Sequence, residues 1–432
     1  MEHGIVIVGG GAGGLELASK LGRALGPSKV TLVDSRLSHI WKPSLHEVAA
    51  GTLDIHQEGL SYQMLAHDNG FTFVYGALTA MDSKGRTITV GAVLSDAGEV
   101  LIPERVLTYE ALVLAVGSTS NYFGVEGAAE HTISLNATED AEHFRLQMLK
   151  LLTAAEQRKS LDPTAGVDIV IIGGGATGVE LAAELREASA VHANYGRKLD
   201  PTKDIRITIL EGAPRILAPL PERVSKAAAK LLARRQVTVK TECRVTKITP
   251  EYVEDKAGTR YRADICVWAA GIRAPSFLAT LGLPVNKAGQ LEVGGNLKVK
   301  GEHGYVFAIG DCAACTTDDG VQVPPRAQAA HQQADFLCKF LKNLHKHGSF
   351  YYRPFAYKDY GSLVSVGSQT SVGSLMGSLK GASWFIEGTL ARMMYVSLHL
   401  LHHRAVMGSV RTGVLAVARF LIKRTTPLVK LH

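Results

Sequence analysis

The chain has 432 residues, of which 46% are hydrophobic and 44 are glycine, which suits two or three packed domains and excludes a disordered protein. Its formal charge of +7 comes from one end, since seven basic and no acidic side chains follow Glu387, and residues 1–387 hold 40 side chains of each sign. This neutral body excludes a general nucleic-acid surface. No run of about 18 uncharged apolar residues is present, so we expect no membrane span.

The chain begins directly with an apolar, strand-like run instead of a leader pattern. Its five cysteines are few and odd in number. We therefore expect no signal peptide and a reducing, cytoplasmic setting.

An apolar run, a G-x-G-x-x-G motif and a helix-forming segment occur twice, at 5–22 and 169–186, with twelve of eighteen positions identical. In this context the motif predicts a Rossmann unit, where the glycines let the backbone approach a pyrophosphate at the helix N-terminus. A tight turn without a ligand is the alternative. The motif glycines are Gly9, Gly11 and Gly14 in the first copy and Gly173, Gly175 and Gly178 in the second.

Each copy is followed by a strand that ends in an acid. KVTLVD ends at Asp34 and DIRITILE ends at Glu211. A carboxylate at this strand end accepts hydrogen bonds from a ribose diol. In the second site it also repels a 2′-phosphate, which favours NADH over NADPH. Arg215 would weaken this preference if it faced the site, but we interpret it as a surface arginine.

Three further apolar runs end in glycine. ALVLAVGS (111–118) and ICVWAAGI (265–272) predict strands that close the two nucleotide units at Gly117 and Gly271. GYVFAIGD (304–311) predicts a strand that brings Asp311 to the ribityl–phosphate part of a flavin. Two dinucleotide sites predict an electron relay, because nicotinamide delivers a hydride that a flavin accepts.

The chain resembles the type II NADH:quinone oxidoreductases from end to end, and the gammaproteobacterial members in particular. The resemblance is carried by HIWKPSLHEVAAG (39–51), GGGATGVELAAEL, VWAAGI, AIGDCAAC and PPRAQAAHQQ (324–333). The resemblance implies non-covalent FAD in the first site, NADH in the second, and electron transfer through the flavin to a membrane quinone without ion pumping. It also implies a homodimer on the cytoplasmic face of the bacterial inner membrane, and favours ubiquinone over menaquinone as the acceptor.

Motif by motif, the resemblance assigns five side chains. Gln328 and Gln332 match two glutamines beside the quinone channel, although both would also suit a cap on the helix over the flavin. Glu180 matches a glutamate near the nicotinamide, where a role in orientation or proton transfer and a structural role at the helix start are both open. Lys42 matches a lysine that runs along the flavin, and Lys380 a lysine on the quinone side.

Cysteine chemistry is not expected. Disulfide reductases of this plan carry a cysteine pair soon after the first motif, but residues 1–242 contain no cysteine. Sulfide:quinone reductases do not bind nicotinamide, which conflicts with the second motif. Cys312 and Cys315 form a C-x-x-C pair, which we interpret as small buried residues and not as a redox pair or half of a zinc site.

The tail predicts a membrane-docking segment. Val410, Val414, Val417 and Leu421 share one face of an ideal helix, and Arg404, Arg411, Arg419 and Lys423 share another. With the apolar stretch from Trp384 to Leu401, this pattern indicates an in-plane anchor that binds anionic lipid. A helix pair in a dimer is a compatible alternative. His399, His402 and His403 are interpreted as a polar face at the interface, and no metal site is expected.

We therefore predict an α/β protein with two Rossmann-type dinucleotide-binding domains and a C-terminal amphipathic helical segment. The FAD domain spans 1–120 and 297–345, the NADH domain 121–296, and the quinone-pocket and membrane segment 346–432. Two other functions share both nucleotide motifs. A soluble reductase with a protein acceptor would not need the tail, and a redox sensor would show negligible turnover with quinones.

Overall fold

A computed structural model describes residues 2–193, 198–302, 304–317, 320–348, 354–367, 370–376 and 383–425. The helices are α1 (Ala12–Leu25), α2 (Leu45–Ala50), α3 (Ile55–Glu58), α4 (Tyr62–Asn69), α5 (Ala128–His131), α6 (Thr138–Arg158), α7 (Ala176–Ala193), α8 (Glu222–Arg234), α9 (Ala327–His347), α10 (Thr389–Met407) and α11 (Ser409–Thr425).

The strands are β1 (Glu2–Val8), β2 (Val30–Asp34), β3 (Ser38–His39), β4 (Leu60–Ser61), β5 (Thr72–Tyr75), β6 (Leu78–Asp82), β7 (Thr87–Val90), β8 (Val93–Leu94), β9 (Val100–Ile102), β10 (Arg105–Leu114), β11 (Thr119–Ser120), β12 (Ile133–Ser134), β13 (Val167–Ile172), β14 (Ile205–Leu210), β15 (Thr238–Lys240), β16 (Val245–Ile248), β17 (Tyr252–Asp255), β18 (Arg260–Arg262), β19 (Ile265–Trp268), β20 (Ile272–Arg273), β21 (Leu291–Glu292), β22 (Tyr305–Ala308), β23 (Ala313–Ala314), β24 (Gly361–Ser365), β25 (Ser371–Met376) and β26 (Ser383–Gly388).

The first sheet combines strands from the first 114 residues of the chain with β22, which follows the whole second unit in sequence. Its order is β5-β2-β1-β10-β7-β6, and β22 joins beside β10 with Leu112 opposite Val306. The strands β5, β2, β1, β10 and β22 run parallel, so their carboxyl ends meet at one edge. Because the carboxyl end of β22 also lies at this edge, the segment that ends in Asp311 is on the same side of the sheet as the first glycine motif.

The second sheet is entirely parallel, with the order β12-β19-β13-β14-β15. The central strands are buried apolar runs rich in isoleucine and valine, because helices α6, α7 and α8 cover one face of the sheet and the antiparallel strands β16 and β17 cover the other. The chain passes between the two sheets through β11 and β20, which pair antiparallel with Thr119 opposite Arg273. The predicted pair of Rossmann-type units is therefore confirmed.

A three-stranded antiparallel sheet, β24-β25-β26, precedes the two C-terminal helices. The sequence analysis did not predict this sheet, because its short strands are rich in serine and glycine and carry no strong alternation of apolar and polar residues. The apolar stretch from Trp384 to Leu401 is correspondingly divided between β26 and α10.

The helical C-terminal segment expected from the sequence is present, but it consists of two helices, because α10 ends at its C-cap Gly408 and α11 begins directly after it. Arg404 consequently belongs to α10, whereas Arg411 and Arg419 belong to α11, so the prediction that all three share one face of a single helix is wrong. Within the ranges that the structure describes, no helix is both long and apolar enough to cross a bilayer.

Candidate active site and its two nucleotide cradles

The first glycine motif forms a cradle between β1 and α1. Gly9 has φ +100°, and a Cβ on Gly14 would overlap the Gly9 carbonyl, so neither position accepts a side chain. Gly11 is the N-cap of α1, and a Cβ there would meet nothing within 4 Å. The first N–H groups of the helix therefore face open space, which fits the pyrophosphate of a dinucleotide.

Asp34 closes this cradle from the end of β2. Its carboxylate accepts hydrogen bonds from the backbone N–H of Gly10 (2.6 Å) and of Arg36 (2.8 Å). The Tyr62 hydroxyl donates to the Gly10 carbonyl at 2.7 Å and so fixes the other side of the loop. Burial raises the pKa of Asp34, and the two backbone N–H groups oppose this shift. The acid is thus held at the strand end where a ribose diol would meet it.

The second motif repeats this geometry between β13 and α7. Gly173 has φ +108°, a Cβ on Gly178 would overlap the Gly173 carbonyl, and a Cβ on Gly175 would meet nothing within 4 Å. Glu211 accepts from the backbone N–H of Gly174 at 2.5 Å, as Asp34 does from Gly10. Both cradles fit a dinucleotide on the same geometric grounds.

Arg215 does not face the ribose position as a free cation. Its guanidinium donates to the carbonyl oxygens of Leu217 (3.2 Å) and Ala218 (2.6 Å). This geometry agrees with the interpretation of Arg215 as a residue that does not offset Glu211.

Three predicted flavin-side segments meet around Ser118. Lys42 donates from Nζ to the Ser118 carbonyl at 2.9 Å, and the Ser118 hydroxyl donates to Asp311 Oδ2 at 2.7 Å. Gly117, directly before it, has φ +70° and open space where a Cβ would lie. Burial lowers the pKa of Lys42, while the nearby Asp311 carboxylate opposes that shift. The tertiary fold thus brings Lys42, Gly117 and Asp311 to one place beside the first cradle.

Gly271, the predicted glycine of the second unit, has φ +69° and is covered by an aromatic ring. A Cβ on Gly271 would overlap the ring of Phe123. The backbone of Phe123 has φ +51°, a value that bulky residues rarely adopt, and its side chain is 65% exposed.

Gln328 and Gln332 lie in the first turns of α9, but their amides are engaged differently. Gln332 pairs with the backbone of Lys358 through both amide atoms, donating to its carbonyl (2.8 Å) and accepting from its N–H (3.0 Å). The amide oxygen of Gln328 accepts from the Tyr357 hydroxyl at 2.8 Å, and among the residues that the structure describes its amide nitrogen donates no hydrogen bond. Gln328 is therefore the better placed of the two to donate to a ligand carbonyl.

Glu180 lies in a buried cluster between α7, α2, β24 and α10. Its Oε1 accepts from the backbone N–H of Ser365 (3.0 Å), and its Oε2 lies 3.6 Å from His46 Nδ1. Burial raises the pKa of Glu180, and the neighbouring His46 opposes this shift. Glu184, one turn further along α7, is also buried and accepts from the Thr52 hydroxyl at 2.6 Å. Glu180 thus contacts the C-terminal segment, a partner that its position in the motif did not indicate.

Cys312 and Cys315 are both buried free thiols. Burial raises the pKa of each to about 11, so neither is a thiolate at neutral pH. This result agrees with the interpretation of the C-x-x-C pair as small buried residues.

The interpretation of the C-terminal histidines as a polar interfacial face is wrong. His402 and His403 are buried, with 4% and 3% of their surface exposed. His402 Nε2 lies 3.0 Å from Nε2 of His39. The other ring nitrogen of His39, Nδ1, lies 2.9 Å from the Gly10 carbonyl in the first cradle. These side chains pack because α10 crosses the body of the protein, and the sequence of α10 alone does not reveal this crossing.

His399 and His403 also converge with Glu58, with ligand atoms close enough together for a metal ion. The guanidinium of Arg419 lies among these atoms, in contact with Glu58 and 3.2 Å from His399 Nε2. The protein's own cation therefore occupies the centre of this cluster. Lys380, the predicted quinone-side lysine, lies outside the described residues.

Several side chains of the site were missed by the sequence analysis. Gln333, next to the predicted Gln332, accepts from the Gly310 backbone N–H at 2.7 Å and so fixes the turn before Asp311. Gln290 donates to the Asp311 carbonyl at 3.0 Å. The run of glutamines in α9 is a visible signal for Gln333, and Ser118 directly follows the predicted Gly117, but nothing local to Gln290 indicates the site.

Comparison with known proteins agrees with this geometry. Residues 3–334 match the family model described as pyridine nucleotide-disulphide oxidoreductase. The chain is 36% identical to a type II NADH:quinone oxidoreductase of Haemophilus influenzae, with 99% of each chain covered. It is 28% identical to the type II NADH:quinone oxidoreductase NdhA of Mycobacterium tuberculosis, covering 93% of this chain and 83% of the relative.

A solved structure has the same fold over the whole length. The structure of NDH2 from Plasmodium falciparum in complex with NADH superposes with a TM-score of 0.84 at 19% identity, with 100% of both chains covered. From the identity and coverage of the Haemophilus relative and the two nucleotide cradles, the chain belongs to the type II NADH:quinone oxidoreductases and is an FAD-dependent enzyme that transfers electrons from NADH to a quinone.

Proposed function

We propose that the protein holds FAD in the cradle of Gly9, Gly11 and Gly14 and NADH in that of Gly173, Gly175 and Gly178, and reduces ubiquinone at α9. FAD, when bound, supplies the carrier that accepts a hydride from NADH and passes two electrons to the quinone. The protein contributes position: Asp34 and Glu211 at the ribose ends, and Lys42 and Asp311 beside the flavin.

The position of the amide of Gln328 is the observation that supports the quinone site. Its oxygen accepts from Tyr357, which orients the amide nitrogen as a donor. A neutral amide suits a quinone carbonyl because it binds the oxygen without leaving a buried charge. Gln332 has a different part in this proposal. It holds the segment around Lys358 against α9 and so shapes the pocket next to Gln328.

The acceptor reaches this pocket from a membrane surface. α10 and α11 expose a set of large apolar side chains, among them Leu390, Met393, Val410, Val414 and Val417, between 60% and 81% accessible. Exposed apolar side chains on two helices that contact each other indicate an interaction site, and a lipid surface fits it because quinones dissolve there. Two of the four basic residues that we expected to bind anionic lipid, Arg411 and Arg419, instead pair with Asp68 and Glu58 of the body.

The remaining features of the proposal rest on family resemblance. They are a peripheral position on the cytoplasmic face of the bacterial inner membrane, assembly as a homodimer, and electron transfer without ion pumping. Analytical ultracentrifugation in detergent tests the dimer, and protease accessibility in inverted and right-side-out vesicles tests the membrane face.

Stopped-flow absorbance tests the electron path. NADH is mixed with the flavin-loaded protein, and a short-chain ubiquinone is then added while the flavin spectrum is followed. We expect Gln328→Ala to slow reoxidation by quinone about tenfold, the worth of roughly one hydrogen bond, and to leave reduction by NADH unchanged. Gln157→Ala is the matched control, because Gln157 is an exposed glutamine near the end of α6.

Slow reoxidation of the parent protein by every quinone, after fast reduction by NADH, would refute the quinone assignment and favour a protein acceptor. Equal rates for the parent and Gln328→Ala would leave the function standing but place the quinone elsewhere.

A further inference from the structure

The buried Glu16 and the partly exposed His331 form a hydrogen-bonded pair between α1 and α9. Glu16 lies on α1, two residues after Gly14, and only 1% of its side chain is exposed. His331 lies on α9, and its Nδ1 is 2.5 Å from Glu16 Oε2. The pairing fixes the ring and its tautomer, because the hydrogen on Nδ1 is directed at the carboxylate. The remaining nitrogen, Nε2, is thus the one that exchanges its proton.

His331 is accessible although its partner is not. Its side chain is 43% exposed, while Glu16 is enclosed between α1 and α9. On an ideal helix His331 lies about 60° around α9 from Gln328, so both side chains project from the same side. Gln328 contacts Tyr357 and His331 contacts Glu16, so the exposed imidazole borders the side of α9 that carries Gln328 and is within reach of solvent.

Quinone reduction needs a proton that NADH does not provide. The balanced reaction is NADH + H⁺ + quinone → NAD⁺ + quinol, in which NADH delivers a hydride, that is, two electrons and one proton. The second hydrogen on the quinol oxygens must come from solvent through the protein. A group with a pKa near the working pH is suited to give it.

We propose that His331, held by Glu16, donates this solvent-derived proton from Nε2 to a quinone oxygen. The N–H bond of the imidazolium breaks, an O–H bond of the quinol forms, and the neutral imidazole takes up a new proton from water. Asp335, one turn further along α9 with its Oδ2 3.8 Å from Nε2, lies on the solvent side of this path and is 45% exposed. The proposal rests on the quinone function proposed above.

The charged groups around His331 set the direction of its pH dependence. Glu16 and Lys20 face it from α1, Asp335 from α9 and His402 from α10. The Glu16 hydrogen bond is the largest influence and raises the pKa of His331, whereas burial and Lys20 lower it. Because the protonated imidazole is the donor, quinone reduction should be fast below this pKa and should slow as the pH rises through it.

The test measures flavin reoxidation by short-chain ubiquinone against pH, in H₂O and in D₂O, for the parent, His331→Asn and Glu16→Gln. We expect His331→Asn to slow reoxidation at least about 100-fold and to remove its alkaline limb. We expect Glu16→Gln to move that limb to lower pH. NMR titration of ring-labelled histidine, without NADH or quinone, should show the same downward movement for the His331 signal in Glu16→Gln.

His345→Asn is the matched control, since His345 is exposed on the same helix. If His331→Asn lowers only the melting temperature and keeps the parent pH profile and isotope effect, the pair is structural and the inference is wrong. Failure of the parent to reduce quinone would instead refute the proposed function, so the two failures are distinguishable.

Discussion

At the scale of single residues, the glycines of each nucleotide motif meet two different demands. Gly178 is required by the fold, because a Cβ there would overlap the Gly173 carbonyl where α7 packs on β13. Gly175 is required by the ligand, because its Cβ would enter open space above the helix N-terminus. The same division holds for Gly14 and Gly11 in the first copy. A pair of alanine substitutions therefore separates folding from binding.

We expect Gly178→Ala to destabilise the second unit by roughly 3 kcal/mol, since the backbone must shift to relieve the overlap. Gly175→Ala should keep the parent melting temperature but raise the KM for NADH about tenfold or more. Circular dichroism melting and steady-state kinetics measure the two effects. An unchanged KM in Gly175→Ala would contradict the position assigned to the NADH pyrophosphate.

At the scale of elements, α11 is attached to the body through its cations. Arg419 contacts Glu58, and their side chains are 20% and 12% exposed. Arg411 contacts Asp68, but the arginine is 58% exposed. A buried charge left without its partner costs far more than an exposed one. Arg419 is therefore the contact that decides how firmly α11 lies on the body.

Hydrogen exchange of the α11 amides measures this difference. Arg419→Met should increase exchange about 100-fold or more, because Glu58 then stays buried without a counter-charge, a loss of roughly 3 kcal/mol. Arg411→Met should change exchange less than about tenfold, since an exposed pair contributes roughly 0–1 kcal/mol. Equal protection in both variants would mean that apolar packing alone holds α11.

At the scale of the whole molecule, the ion pairs and the apolar surface have one joint result. With Arg411 and Arg419 turned toward the body, α11 presents Val410, Val414 and Val417 outward. The docking of this face on lipid should therefore depend on apolar burial more than on lipid charge.

We expect Val414→Asp to reduce co-sedimentation with phospholipid vesicles several-fold without loss of folding, because Val414 is 66% exposed. Leu161→Asp is the matched control, since Leu161 is 89% exposed on the loop after α6. Neutral and anionic vesicles should bind the parent to a similar extent. A strong requirement for anionic lipid would instead support binding through the remaining basic residues of the tail, Lys423, Arg424 and Lys430.

The two nucleotide cradles and their order along the chain were predictable from the amino-acid sequence alone. A glycine motif encodes a local turn whose geometry depends on few distant residues, so Gly9, Asp34, Gly173 and Glu211 could be located without a structure. The return of the chain to the first unit at Asp311 followed from the same kind of local pattern.

Contacts between side chains of different units, by contrast, depend on tertiary packing. It paired Gln332 with the backbone of Lys358, placed Glu180 against Ser365, and buried His402 beside His39. These partners lie 26 to 363 positions apart in the chain. Their contacts arise from the packing of α9 and α10 on the two nucleotide units, and no local periodicity encodes that packing.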